Sequence, residues 1–155
     1  MTFTDHRRMK AYLRTAAGLA CALLTALPAA SAFAVEPKPL DAALDCSSNG
    51  HDFVAPLAEA GDLQPKPMRV ESNSMNAFRT AHPLSAYGFP VFVVVGYQEN
   101  DPLFQHGDGK PIGKWGYGVV VRGSKRSVEE KVRAAGSNAT VREAFPFLTA
   151  IVCTP

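Results

Sequence analysis

The chain has 155 residues, a formal net charge of +2, and a composition that is 46% hydrophobic and 19% charged. This length is typical of one domain and leaves no room for a multidomain enzyme. The composition excludes a collagen, a coiled coil and a disordered acidic or basic tail.

The first 34 residues have the organisation of a secretory signal peptide. Four basic residues precede an apolar stretch from Ala16 to Leu27, which is followed by Pro28 and two overlapping small-x-small motifs. This order of charge, apolar core and cleavage motif is typical of a leader that is removed on export. We therefore predict a signal peptide over residues 1–34, with cleavage after Ala34 or, alternatively, after Ala32.

Removal of this leader changes the charge of the protein. Residues 35–155 contain 12 Lys and Arg against 13 Asp and Glu, a net charge of −1, so we predict no nucleic-acid partner. The longest remaining apolar run, residues 89–96, has the length of a strand, and we predict no membrane span after cleavage. The predicted location is the bacterial periplasm or the extracellular medium.

Two cysteines, Cys46 and Cys153, remain in the exported part. An even pair in an oxidising compartment predicts one disulfide, here between residues 107 positions apart. A bridge that closes a loop of this size stabilises a domain by about 4–5 kcal/mol in the chain-entropy model. A redox or catalytic role is disfavoured, because there is no C-x-x-C motif and Cys153 ends an apolar run.

The first half of the domain shows weak patterns. Proline interrupts residues 35–45, which predicts a loosely held, extended N-terminal segment. Residues 51–61 carry a short apolar stripe that predicts one or two helical turns, broken by Pro56. Apolar and polar residues then alternate over residues 68–74, as is typical of a half-buried strand.

The second half shows stronger strand patterns. Residues 89–97 (FPVFVVVGY) are apolar at both parities and predict a central strand. Residues 103–106 and 112–122 predict a hairpin with Gly107-Asp108-Gly109 at its tip. A last strand is predicted over residues 140–153, with a break near Pro146.

One main helix is predicted at about residues 127–135. Ser127 and Glu130 have the spacing of a capping box, and an apolar stripe leads to Gly136, which suits the left-handed position after a helix. These elements predict a small single α+β domain with a mostly antiparallel sheet of about four to six strands and one disulfide.

Catalytic chemistry has little support in the sequence. No G-x-S-x-G, H-E-x-x-H, S-x-x-K or P-loop motif occurs, so we predict no catalytic residues and no cofactor. Asp101, His106 and Asp108 lie around the predicted hairpin and are the only candidates for a metal site. Because His and Asp beside a glycine turn are common in ordinary turns, we predict no metal there.

An interaction surface is the remaining candidate for a functional site. The predicted hairpin and the start of the predicted helix combine aromatic and charged residues, the types that anchor protein interfaces. The predicted partner-binding residues are Phe104, Asp108, Lys110, Lys114, Trp115, Tyr117, Arg122, Lys125 and Arg126. Trp115 fits a position in the core equally well.

These features predict an exported, disulfide-linked, non-enzymatic binding protein with a protein partner. A small periplasmic inhibitor or immunity-type protein that acts on a larger envelope enzyme is one form of this class. Two alternatives stay open. One is a small hydrolase or metal-dependent enzyme that uses residues 101–108, and the other is an envelope accessory protein that binds an anionic polymer or lipid through the basic segment 110–133.

Overall fold

The structure, a computed structural model, describes residues 35–155, and the predicted signal peptide lies outside the described residues. Residues Ala34–Pro155 form one structural unit. Its hydrophobic core and its disulfide both come from residues 40–153.

Eight strands and two α-helices make up this unit. In chain order they are β1 (Lys38–Pro39), α1 (Gly50–Glu59), β2 (Arg69–Val70), β3 (Asn76–Arg79), β4 (Leu84–Ala86), β5 (Phe89–Gln98), β6 (Trp115–Arg122), α2 (Lys125–Ala134), β7 (Thr140–Phe145) and β8 (Leu148–Cys153). The predicted small α+β domain is confirmed. The strands outnumber the prediction because the structure adds several short ones, of which β1 and β2 have two residues each.

The sheet is antiparallel throughout except for the short parallel pair of β1 and β4. The strand order is β1-β4-β5-β6-β8-β7, and β3 pairs with β5 on the same side as β4. The predicted central strand is confirmed as β5, the longest strand. The predicted strand 140–153 divides at Pro146 and Phe147 into β7 and β8, because these two residues form a tight connection.

Both helices pack on one face of this sheet. Ile151 of β8 is fully buried, whereas its neighbour Val152, which points to the opposite face, is only half-buried. On the buried face the ring of Phe53 in α1 lies 4.7 Å from the ring of Tyr117 in β6. Both faces of the central strands carry apolar residues, and the helices cover only one of these faces.

The N-terminal segment is anchored from Lys38 onward, which differs from the loosely held segment expected at residues 35–45. Leu40 is 5% exposed, and Leu44, at the end of a 3-10 turn, is fully buried. The ammonium group of Lys38 lies 2.6 Å from the carboxylate of Asp62. Two buried leucines outweigh the extended tendency of the prolines around them.

The first helix runs without interruption through Pro56, so the predicted break is wrong. Asn49 caps this helix by accepting a hydrogen bond from the amide of Asp52 at 3.0 Å. Proline removes one backbone donor from a helix, and Pro56 lies on the exposed side, where its ring meets solvent. Burial of Phe53 and Leu57 holds the two ends of the helix on the sheet.

The second helix begins earlier than predicted. Ser124, and not Ser127, is the cap, and its hydroxyl accepts a hydrogen bond from the amide of Ser127 at 3.3 Å. The helix therefore starts at Lys125. Its end agrees with the prediction, since Gly136 has a φ of +73° just beyond the last turn.

The long connection between β5 and β6 contains no strand, so the predicted strand at 103–106 and its hairpin are wrong. The side-chain amide of Asn76 donates to the carbonyl of Gln105 at 2.8 Å and accepts from its backbone amide at 2.9 Å. The amide of Gly109 donates to the carbonyl of Ser72 at 2.8 Å. The polar groups of this connection are thus satisfied by the turn before β3 and need no strand partner.

The predicted disulfide is confirmed. Cys46 and Cys153 are bonded, with their Cα atoms 5.1 Å apart, and they join the segment before α1 to the end of β8. A disulfide of this kind persists in an oxidising compartment.

Candidate functional site

The face of the sheet opposite the helices carries no helix in residues 35–155, although Ala77 and Val93 on it are only 9% and 5% exposed. Strand register places two rows of side chains on this face, because directly paired residues point to the same side. One row runs across β3, β5, β6, β8 and β7 as Ala77, Val95, Gly118, Val152 and Thr140. The next row runs as Arg79, Val93, Val120, Ala150 and Arg142. We call these two rows, together with Arg122, the open face.

The open face has an apolar centre between basic edges. Val120 and Ala150 are half-buried, whereas Arg79 and Arg142 at the two ends of their row are exposed. At the ordinary spacing of strands these two arginines lie about 19 Å apart. None of the residues in the two rows is acidic.

A third arginine extends this basic character at one end of the face. Arg122 pairs with Leu148 in the next row, and its guanidinium carbon lies 5.0 Å from the centre of the Phe92 ring. A cation above an aromatic ring in this position is attracted by the negative face of the ring. The interaction holds the arginine over the sheet, and the residue remains exposed.

A shallow groove of about 240 Å³ lies on the β7 side of the open face. It is lined by Ile112, Thr140, Arg142, Val152 and Thr154. The groove combines an apolar wall with one guanidinium group, which matches the chemistry of a small apolar side chain beside a carboxylate.

The aromatic residues predicted to bind a partner belong to the core. Phe104 is 5% exposed and Tyr117 is fully buried, so neither reaches a partner. Trp115 is half-buried, with its ring stacked 5.7 Å from that of Tyr117. Burial raises the pKa of the Tyr117 hydroxyl, which also accepts a hydrogen bond from the amide of Ser48 at 3.2 Å.

The charged residues of the same predicted set are split between the two ends of the sheet. Asp108, Lys110 and Lys114 lie in the long connection that precedes β6, whereas Arg122 is the last residue of β6 and Lys125 and Arg126 follow it. Because β6 has eight residues, it separates the two groups by about 25 Å. They therefore form two surfaces, and Arg122 is the member that borders the open face.

The metal candidates do not converge. Asp101 accepts or shares a hydrogen bond with Nδ1 of His51 at 2.6 Å, while the ring of His106 lies edge-on to Tyr97 at 5.7 Å. Within residues 35–155 no group of three His, Cys, Asp or Glu side chains is arranged to hold a metal ion. The contact between His51 and Asp101 orients one imidazole.

A second exposed feature lies at the connection between β7 and β8. Phe145 is 69% exposed and Phe147 is 82% exposed, on either side of Pro146. We call these three residues the aromatic tip. Phe147 has a φ of +63°, a left-handed conformation that costs a bulky residue about 1–2 kcal/mol.

Two other residues with positive φ angles, Tyr87 and Ser74, have visible compensation. Tyr87, with a φ of +51°, is buried, and its backbone amide donates to Asp41 at 2.7 Å. Ser74, with a φ of +69°, is fully buried and its hydroxyl accepts from the amide of Gly107 at 3.1 Å. Phe147 has only a backbone contact, in which its carbonyl accepts from Gly123 at 3.0 Å.

The open face and the aromatic tip were not found by reasoning on the sequence. Arg79 and Arg142 are 63 positions apart and belong to the same row only through the pairing of five strands. The available signal was the apolar character of residues 89–97 at both parities, which indicated that β5 has two apolar faces. No feature of the sequence predicted that Phe145 is exposed, because phenylalanine is usually buried.

Comparison with known proteins gives no further guide to the site. The chain matches no family model, and no curated protein or solved structure shows significant similarity to it. Within residues 35–155, neither helix is long and apolar enough to cross a membrane.

Proposed function

We propose that the protein is an exported, non-enzymatic binding protein that captures a partner protein through its open face. The observation that carries this proposal is the row in which Arg79 and Arg142 bracket Val120 and Ala150. Aromatic or apolar surface at the centre and charge at the rim is the usual composition of a protein interface. The partner surface is apolar at its centre and acidic at its edges.

The charge pattern supports a heterologous partner over a second copy of the chain. If two copies met through their open faces, the arginines of one copy would approach those of the other. Neither row contains an acidic residue that could neutralise these charges. Like charges across an interface cost free energy, whereas an acidic partner gains it and associates faster. A partner with carboxylates spaced about 19 Å apart would meet both end arginines.

The disulfide supports a place for this binding outside the cytosol. One bridge between residues 107 positions apart fits the periplasm or the extracellular medium, where the predicted leader would deliver the domain. In this setting the proposed form is an inhibitor or immunity-type protein whose partner is a larger enzyme of the envelope.

The proposal is tested with the oxidised domain, residues 35–155, immobilised and exposed to envelope and secreted extracts. The variant Arg79→Glu/Arg142→Glu reverses the charge of the open face. The matched control Lys110→Glu/Lys114→Glu makes the same change of charge in the connection before β6. We expect one protein to be retained in a stoichiometric amount by the wild type and the control, and at least tenfold less by the open-face variant.

Capture that is equal for all three forms, or no stoichiometric capture by the wild type, would contradict the proposal. For a captured partner, hydrogen exchange on the purified complex gives an independent measure. We expect protection of the amides of β6 and β8, and a change in the catalytic rate of the partner if it is an enzyme.

A further inference from the structure

The aromatic tip contains the most exposed large apolar side chain of residues 35–155, that of Phe147. Phe147 is 82% exposed and Phe145 is 69% exposed, and only Pro146 separates them. Most proteins bury such side chains, and an exposed apolar group that protrudes from the surface indicates an interaction. The tip is convex, since it caps a hairpin with a two-residue connection.

The backbone at this tip disfavours the residue that occupies it. A φ of +63° at the second position of a tight turn usually selects glycine or asparagine. At Tyr87 the same sign of φ is compensated by burial and by hydrogen bonds, but the side chain of Phe147 is exposed. Local strain that persists without structural compensation is typical of functional positions.

Basic residues prevail in the two segments that meet at the tip, although Glu129 and Glu130 line a groove together with Lys125 and Arg126. Residues 122–126 and 142–148 meet at this end of the sheet, because the amide of Gly123 donates to the carbonyl of Phe147. These two segments contain four basic residues, namely Arg122, Lys125, Arg126 and Arg142. Their single acidic residue is Glu143, which pairs with the buried Thr149 and so points to the helix side of the sheet.

From this arrangement we infer that the aromatic tip is a docking site for an anionic phospholipid bilayer. Phenylalanine side chains enter the boundary between headgroups and acyl chains, while lysine and arginine contact the phosphates. A bilayer accommodates a convex apolar tip without a preformed pocket, whereas a protein partner would need a matching cavity. The docking would place the domain at a membrane surface with most of the open face free for the proposed partner.

The two contributions to this docking have different expected sizes. Removal of one basic side chain near an anionic surface lowers binding by about fivefold. Removal of both phenylalanines takes away the apolar anchor and leaves only electrostatic attraction, which salt screens within about 10 Å at 0.1 M. Binding through the complete tip is therefore stronger than binding through charge alone.

The inference is tested by sedimentation of residues 35–155, oxidised, with vesicles of phosphatidylethanolamine and phosphatidylglycerol in a ratio of about three to one. Pure phosphatidylcholine vesicles provide the neutral surface. We expect the wild type to bind the anionic vesicles at least tenfold more strongly than the neutral ones. The variant Phe145→Ser/Phe147→Gly should lose at least tenfold in binding to the anionic vesicles.

Two controls separate the tip from general effects. The variant Arg122→Gln/Arg126→Gln should bind the anionic vesicles more than tenfold less, whereas Lys110→Gln/Lys114→Gln, with the same loss of charge at the other end of β6, should bind like the wild type. The single variant Phe147→Gly should lose binding and keep or raise its melting temperature, so the loss cannot result from unfolding. Failure of the wild type to bind anionic vesicles, or equal binding by the phenylalanine variants, would overturn the inference.

The two outcomes are distinguishable although Arg122 and Arg142 belong to both surfaces. The phenylalanine variants test vesicle binding and leave the residues of the open face in place, whereas partner capture is measured in the absence of vesicles with Arg79 and Arg142 changed together. A domain that captures a protein and ignores vesicles would retain the open face as its site and lose the membrane role. The reverse result would retain the membrane role alone.

Discussion

The two ends of the sheet accommodate unusual backbone conformations in different ways. At the end where β5 finishes, Ser74 and Cys46 have positive φ angles, and a buried hydrogen bond or the disulfide holds each of them. At the other end, Phe147 has a φ of +63° and its side chain faces solvent. A residue with a strained backbone is therefore most informative about function where neither burial nor hydrogen bonds of its side chain offset the strain.

The same two ends differ in charge. Around the end of β5, the carboxylates of Asp52, Glu99 and Asp101 line one shallow groove with the ring of His51. At the end of β6, Arg122 and the first two residues of α2 are basic. Acidic groups prevail at the first end in spite of Lys110 and Lys114, and basic groups prevail at the second in spite of Glu129 and Glu130. An unequal distribution of charge produces a field that orients a small domain toward a charged surface.

The largest expected effect on stability concerns the disulfide, which lies at the end of the sheet where β5 finishes. The variant Cys46→Ser/Cys153→Ser should lower the free energy of unfolding by about 4–5 kcal/mol, because a loop of about 100 residues becomes free in the unfolded chain. Chemical denaturation of the oxidised wild type and the variant measures this difference. A loss below about 1 kcal/mol would mean that the hydrogen bonds of that end hold it without the bridge.

A smaller effect is expected from the amide that fixes the long connection between β5 and β6. The variant Asn76→Ala removes three hydrogen bonds, to Ser74 and to both backbone groups of Gln105, and should cost about 2–4 kcal/mol. Faster hydrogen exchange of the connection should accompany it. The control Gln105→Ala removes an exposed side chain and should change the stability by less than about 0.5 kcal/mol. Equal losses in both variants would show that packing, and not the amide, fixes this segment.

The smallest effect tests the contrast between compensated and uncompensated strain. The variant Phe147→Gly should raise the free energy of unfolding by about 1 kcal/mol, because glycine adopts a positive φ without a clash and no packing is lost. The variant Tyr87→Gly relieves the same kind of strain but removes a buried ring, and should cost about 3–5 kcal/mol. Thermal and chemical denaturation measure both. The contrast would fail if the two variants changed the stability in the same direction.

The sequence was a good guide to local elements and a poor one to their assembly. The strand β5, the end of α2 and the disulfide followed from apolar runs, Gly136 and an even pair of cysteines. The strand expected at residues 103–106 does not form, because Asn76, distant in sequence, supplies the hydrogen bonds of that segment. No local pattern could show this contact.

The candidate site was missed for the same reason. Trp115 and Tyr117 have the residue types of an interface, but the neighbouring segment with Ser48 and the ring of Phe53 cover Tyr117. Arg79 and Arg142 become one row only when β8 lies between β6 and β7. The residue types indicated which side chains are suited to an interface, whereas the pairing of the strands determines which of these side chains are exposed.

The position of the disulfide also determines how the chain matures. Residues 35–155 contain two cysteines, so the oxidised domain has one possible bridge and no wrong pairing to correct. As the chain is synthesised, Cys46 precedes its partner by 107 positions, so the bridge forms only after β8 has been made. Formation of this bridge therefore needs an oxidant that acts on the complete sheet, and these two cysteines need no disulfide isomerase.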